Sequence, residues 1–158
     1  MQTIYDVPVI LRREIEALMI KPFLDAFEKE LGHEKTYAIV ESVVQDIAKA
    51  QGADYAKMIG RNDDYALIEQ EEAWTANDAL EVENVIEDGH ILNQTVKRCA
   101  YVDMYERIGM KELGGTLSCM RDEYFYSGFN PGMVMTRSKT LMSGCDCCDF
   151  CFNFPKEN

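Results

Sequence analysis

A thiol and a carboxylate three residues apart, Cys119 and Asp122, are the pair in this sequence best spaced for nucleophilic or acid–base chemistry. On a helix, positions i and i+3 share a flank, and Tyr126 at i+7 falls beside them. A cysteine so placed attacks an electrophilic carbon while the carboxylate orients it or exchanges its proton. The competing reading makes Cys119 a small apolar residue filling a core. Against it, Leu113, Leu117, Met120 and Tyr124 already supply a core stripe on the helix predicted over 113–127. Arg137 sits among otherwise uncharged residues up to Lys139. Its planar fork can grip an acidic substrate at two points, and a solvated strand face is the alternative. Cys99 follows Arg98 at a strand-to-helix junction, where the helix dipole favours thiolate; packing at a tight junction explains it equally well.

Four cysteines crowd the stretch from Cys145 to Cys151. The spacing Cys145-x-x-Cys148-x-x-Cys151 is one that metal and iron–sulfur sites use. A ferredoxin-type run would continue with a fourth cysteine and a proline, whereas Cys151 is followed by Phe-Asn-Phe-Pro155. Strand alternation also turns Cys148 away from Cys151, so a bulge would be needed to gather the three thiolates. No cofactor is expected, with a metal on Cys145, Cys148 and Cys151 kept open as an alternative. His33 at a helix end and His90 in a turn lack the spacing of zinc ligands, and only His90 is retained as a remote acid–base candidate. Gly114-Gly115 matches no phosphate-binding loop, and there is no GxSxG.

Elements must position these groups. Apolar residues recur at helical spacing from Asp6–Pro8 to Leu31, with Pro22 expected to kink the helix. A second helix is predicted from about Glu34 to Ala50, with Gly52 as its stop, followed by helical pieces over 53–59 and 65–74. The period then changes. Segments 80–84 and 92–96 alternate around a turn at 87–90 and read as a hairpin. Helices follow over 99–108 and 113–127, then strands over 133–141 and 147–154 around Ser143-Gly144. The fold expected is α+β, with N-terminal helices packed on a four-stranded antiparallel sheet of ββααββ order. In the last strand Cys148, Phe150, Phe152 and Phe154 face the core; Cys147, Asp149, Cys151 and Asn153 face away.

A chain of 158 residues fits one domain, 1–158, divided into a helical region to residue 78 and the ββααββ region over 79–154. The net charge of −12 argues against nucleic acid, which needs clustered cations. No apolar run reaches the ~18 residues of a membrane span, and the first residues do not read as an export leader. A soluble cytoplasmic protein with reduced thiols is expected, since its cysteines are clustered rather than spread as staples.

Several of these residues together resemble the L-2-amino-thiazoline-4-carboxylic acid hydrolase family. They are Arg98-Cys99-Ala100-Tyr101, Leu113-Gly114, Cys119-x-x-Asp122 with Phe125, Arg137 with Thr140, and Gly144-x-x-x-Cys148-Asp149-Phe150, spanning roughly residues 80–154. The resemblance implies hydrolysis of a carbon–nitrogen bond that opens a thiazoline ring to a carbamoyl cysteine. It would make Cys119 a nucleophile or positioning thiol, Asp122 its acid–base partner and Arg137 the carboxylate anchor, with Cys99, Cys148 and Asp149 lining or supporting the site; Tyr126 is a further substrate-binding candidate through its helical spacing. The cysteines at 145, 147 and 151 depart from the family pattern. A small-molecule substrate is the expected partner, and a second copy of the chain is a candidate one. A binding module without chemistry and a cysteine-ligated metal or redox protein are the competing functions.

Overall fold

The computed structural model describes residues 6–87 and 90–155. Helix α1 (Val9–Leu31) runs unbroken through Pro22, so the expected kink costs a hydrogen bond without ending the helix. Helix α2 (His33–Ile59) likewise continues through Gly52, which was expected to stop it. Its terminator is Gly60, in the left-handed region at φ 73°, whose N–H bonds the Ala56 carbonyl at 2.9 Å. Helix α3 (Asp64–Thr75) begins where the Asp63 side chain accepts the Ala66 N–H at 2.8 Å.

The expected sheet follows. Strands β1 (Leu80–Glu87) and β2 (Ile91–Cys99) pair antiparallel; residues 88 and 89 of the turn predicted between them lie outside the described residues. Helices α4 (Ala100–Arg107), α5 (Lys111–Gly114) and α6 (Met120–Phe129) precede strands β3 (Val134–Arg137) and β4 (Cys148–Asn153). The strand order is β1-β2-β4-β3, all antiparallel, so β4 enters between β2 and β3. The class is α+β with ββααββ order in the second half.

The inward row of β4 is the predicted one: Cys148, Phe150, Phe152 and Phe154 are buried. The first three pair with Val96, Gln94 and Leu92 of β2, also buried. Tyr126 of α6 packs edge-on against Phe152, ring centroids 4.7 Å apart, and places α6 on this row. Helix α2 lies behind α6 at backbone contact. A Cβ on Gly52 would stand 1.9 Å from the Phe125 carbonyl oxygen, and one on Gly128 would stand 2.0 Å from that of Lys49. Gly52 is therefore a close-approach residue, which explains why it does not break α2.

Between α5 and α6 the chain makes a π turn, Gly115–Cys119, in which the Met120 N–H reaches back to Gly115. One extra residue in a turn rotates everything after it by roughly 100° relative to an unbroken α-helix. The apolar stripe predicted across 113–127 is broken accordingly. Leu113 is buried, but beyond the π turn the core face is Phe125, Tyr126 and Phe129 instead of Met120 and Tyr124.

Candidate functional site

Cys119, Asp122 and Arg137 meet where the π turn runs into α6 and faces the end of β3. Arg137 pairs with Phe150 in the sheet, and its guanidinium carbon lies 5.0 Å from the Phe150 ring centroid. That stacking aims it across to α6. Nη1 donates to Asp122 Oδ2 at 2.6 Å, and Nη2 donates to the Cys119 carbonyl at 3.0 Å. The two paired side chains retain 14% and 21% of their exposure, so solvent still reaches the pair. Two of the five N–H donors of Arg137 are used this way, leaving others for a ligand anion.

The Cys119 thiol is pushed far above its ordinary range, first by burial and then by the Asp122 charge, with Arg137 pulling the other way. It is a neutral thiol at rest, not a preformed thiolate. Cys99 and Cys148 are close enough to raise it further. Cys99 sits at the junction predicted for it, before α4, and of the two readings left open there burial favours the packed thiol. Burial pushes this thiol up to about 11, overriding the N–H groups of Val102 and Tyr101 at the helix start. The Cys148 thiol is raised by burial as well and accepts the Leu141 N–H at 3.3 Å. Burial pushes the Asp122 carboxyl up to about 6, against Arg137, Arg13 and Arg121. A group titrating there can give and take a proton near neutrality.

Arg13 and Arg121 were missed by reading the sequence. Arg121 lies between Cys119 and Asp122; burial lowers it to about 10, and its Nη2 donates to Gln51 Oε1 at 2.6 Å. Arg13 comes from α1, 15% exposed and bonded to Glu16 at 2.5 Å. Only packing brings it near Asp122, so no sequence signal marked it. A second polar group escaped notice. Glu71 of α3 is buried, accepts the Asn84 amide at 2.9 Å and the Gln94 amide, and burial raises its carboxyl.

The other expected site residues are placed differently from one another. Tyr126 is only 2% exposed and packs edge-on against Phe152 in the aromatic core, close enough for the Asp122 and Arg137 charges to act on it, so it backs the pair from the core side. Asp149 faces away from Cys148 and accepts the N–H groups of Ser138 at 2.9 Å and Lys139 at 2.6 Å. It fixes the loop after Arg137 and so supports the site without lining it. Cys148 turns inward while Cys151 turns outward, and among the described residues no three His, Cys, Asp or Glu side chains converge to hold a metal ion. The His90 carbonyl accepts the Phe154 N–H at 2.8 Å at the far end of β2. A groove of about 530 Å³ between α1 and α2 is lined by Leu117 and Arg121 but not by Cys119, Asp122 or Arg137. A smaller hollow of about 420 Å³ lies at the α1–α2 turn.

Among solved structures, the fold is similar to the phenol-responsive sensory domain of the transcription activator PoxR, determined with phenol. That match has 9% identity and a TM-score of 0.51, covering 85% of this chain and 72% of that one. It is also similar to a trafficking protein particle complex subunit 3 from Naegleria fowleri covalently bound to palmitic acid. There the identity is 8% and the TM-score 0.51, covering 92% of this chain and 96% of that one. Both are likenesses of fold. No curated protein matches the chain. The family model for L-2-amino-thiazoline-4-carboxylic acid hydrolase matches residues 12–152, reaching through the N-terminal helices well beyond the stretch that carried the resemblance. The chain belongs to the L-2-amino-thiazoline-4-carboxylic acid hydrolase family.

Proposed function

We propose that the protein hydrolyses a non-peptide carbon–nitrogen bond in a small cyclic amidine or amide bearing a carboxylate, such as a 2-amino-thiazoline carboxylate. One observation carries this reading. In a chain of net charge −12, Arg137 bonds Asp122 at 2.6 Å and Arg13 and Arg121 also act on it, so that against Asp122 and the Glu16 partner of Arg13 a net positive charge is left, suited to an acidic substrate. Arg137 anchors the carboxylate with the donors not given to Asp122 and Cys119. Cys119 Sγ attacks the amidine carbon, and its proton passes to the Asp122 carboxylate as the S–C bond forms. Asp122 then delivers that proton to the leaving ring nitrogen as the C–N bond breaks. Water then adds to that carbon and its bond to Cys119 Sγ breaks, the oxygen staying on carbon, one water proton returning to Sγ and the other going to the remaining imino nitrogen. Unpaired thiols fit a reducing, cytoplasmic setting.

The test compares turnover of 2-amino-thiazoline-4-carboxylate with that of 2-amino-thiazoline, which lacks the carboxylate. The acid should be favoured in kcat/KM by about 100-fold, on the order of 3 kcal/mol of charge-assisted binding. Arg137→Lys should remove most of that preference. A second reading, a binding module without chemistry, draws on the likeness of fold to a sensory domain. A carboxylate compound that raises thermal stability yet is recovered unaltered would favour it and sink the hydrolase reading.

A further inference from the structure

Helices α1 and α2 carry more apolar surface than the fold uses. Helix α1 buries Val9, Ala17 and Leu24, yet Ile15, Met19, Phe23 and Phe27 on its outer side are 49–66% exposed. These four recur at every fourth residue and form one i±4 ridge, about 18 Å long at 1.5 Å per residue. Helix α2 presents a second such ridge, in which Val43 is 52% and Ile47 44% exposed. Between the ridges lies the groove of about 530 Å³, walled by Phe23, Phe27, Val43 and Ile47.

We propose that this face binds a second copy of the chain, forming a two-fold symmetric dimer. The surface is self-complementary: it holds both an i±4 ridge and a groove between i±4 ridges, which is what a two-fold contact between identical helix pairs requires. Its area fits as well. Covering the exposed apolar side chains of α1 and α2 on both copies removes on the order of 1,600 Å², the size of a standard stable interface. Charge does not oppose close approach, because Arg13 pairs with Glu16 and Lys21 with Asp25 within α1. A small ligand in the groove would cover Met19, Phe23 and Phe27 but leave Leu11 and Ile15, 48% and 63% exposed in the same i±4 row, in water; a second copy covers the whole row. The inference does not depend on the hydrolase reading.

Sedimentation velocity from about 1 to 100 μM should give twice the 18.1 kDa chain mass for the wild type at the upper end. Phe23→Glu with Val43→Glu should shift it to the single-chain mass, with helix content by circular dichroism unchanged. A wild type that stays at 18.1 kDa throughout overturns the proposal, including one found monomeric with an extracted lipid in the groove. So does a folded double variant that remains dimeric. If the double variant does not fold, hydrogen exchange of the wild type across the same dilution series decides. Concentration-dependent protection confined to α1 and α2 supports the dimer, and protection elsewhere or nowhere overturns it.

Discussion

At the residue scale, the proposed chemistry rests on Cys119, Asp122 and Arg137, and burial raises the proton affinity of the first two. Burial holds Cys119 as a neutral thiol, so the proposed mechanism requires it to hand a proton to Asp122 as substrate reacts. Cys119→Ala is expected to lower kcat by at least about 1,000-fold with KM within about threefold, the pattern of a lost transition-state group. Turnover surviving in that variant would make Asp122-activated water the nucleophile. The same burial has a consequence for stability. Asp122 titrates at about 6 in the folded chain, above the ~3.9 of an unfolded aspartate. Between those values the folded state holds more proton than the unfolded one, so this group's contribution falls as pH rises through the window and is constant above it. Urea unfolding of wild type and Asp122→Asn should therefore diverge by on the order of 2–3 kcal/mol across pH 4 to 6, with the wild type losing ground as pH rises. A constant difference would mean the carboxyl is not raised.

At the scale of elements, the site depends on how closely α2, α6 and the sheet approach one another. Gly52 and Gly128 let α2 and α6 touch backbone to backbone. Alanine at either must push the helices apart and should cost about 3 kcal/mol or more in chemical denaturation, as overpacking against an immovable backbone. Gly115→Ala in the π turn is the control. A Cβ there meets nothing within 4 Å, and the change should be within about 1 kcal/mol of neutral. Helix α3 is tied to the hairpin by Glu71, which receives the amides of Asn84 and Gln94. Glu71→Ala strands both donors and should destabilise by about 2–4 kcal/mol, while Glu71→Gln should recover much of that by offering an acceptor again. Equal losses in the two variants would show that side-chain volume, not hydrogen bonding, holds α3 in place.

At the scale of the whole molecule, the net charge of −12 sets the background against which both the site and the α1–α2 face operate. Two such chains repel at long range, so association through the apolar ridges should tighten as salt screens that repulsion. Raising sodium chloride from about 0.05 to 0.5 M should lower the dimer dissociation constant severalfold; weakening by salt would point to an interface made of ion pairs instead. The same screening should raise KM for an acidic substrate, because its attraction to the arginine cluster is electrostatic.

The sequence by itself determined the α+β class, the ββααββ order and the inward row of the last strand, because hydrophobic period is a local property of the chain. It also brought Cys119, Asp122 and Arg137 forward through residue type and spacing, and they do meet. Tertiary structure alone decided the rest. Gly52 is read as a stop until its contact with the α6 backbone is known, and only packing shows that Tyr126 is enclosed in the aromatic core behind Asp122 and Arg137. Arg13 joins the site from a helix more than 100 residues away in the chain, and the choice at Cys99 between thiolate and packed thiol turns on neighbours that exclude water from it. Burial and charge proximity are properties of assembled surfaces, and the order of residues along one chain does not contain them until it folds.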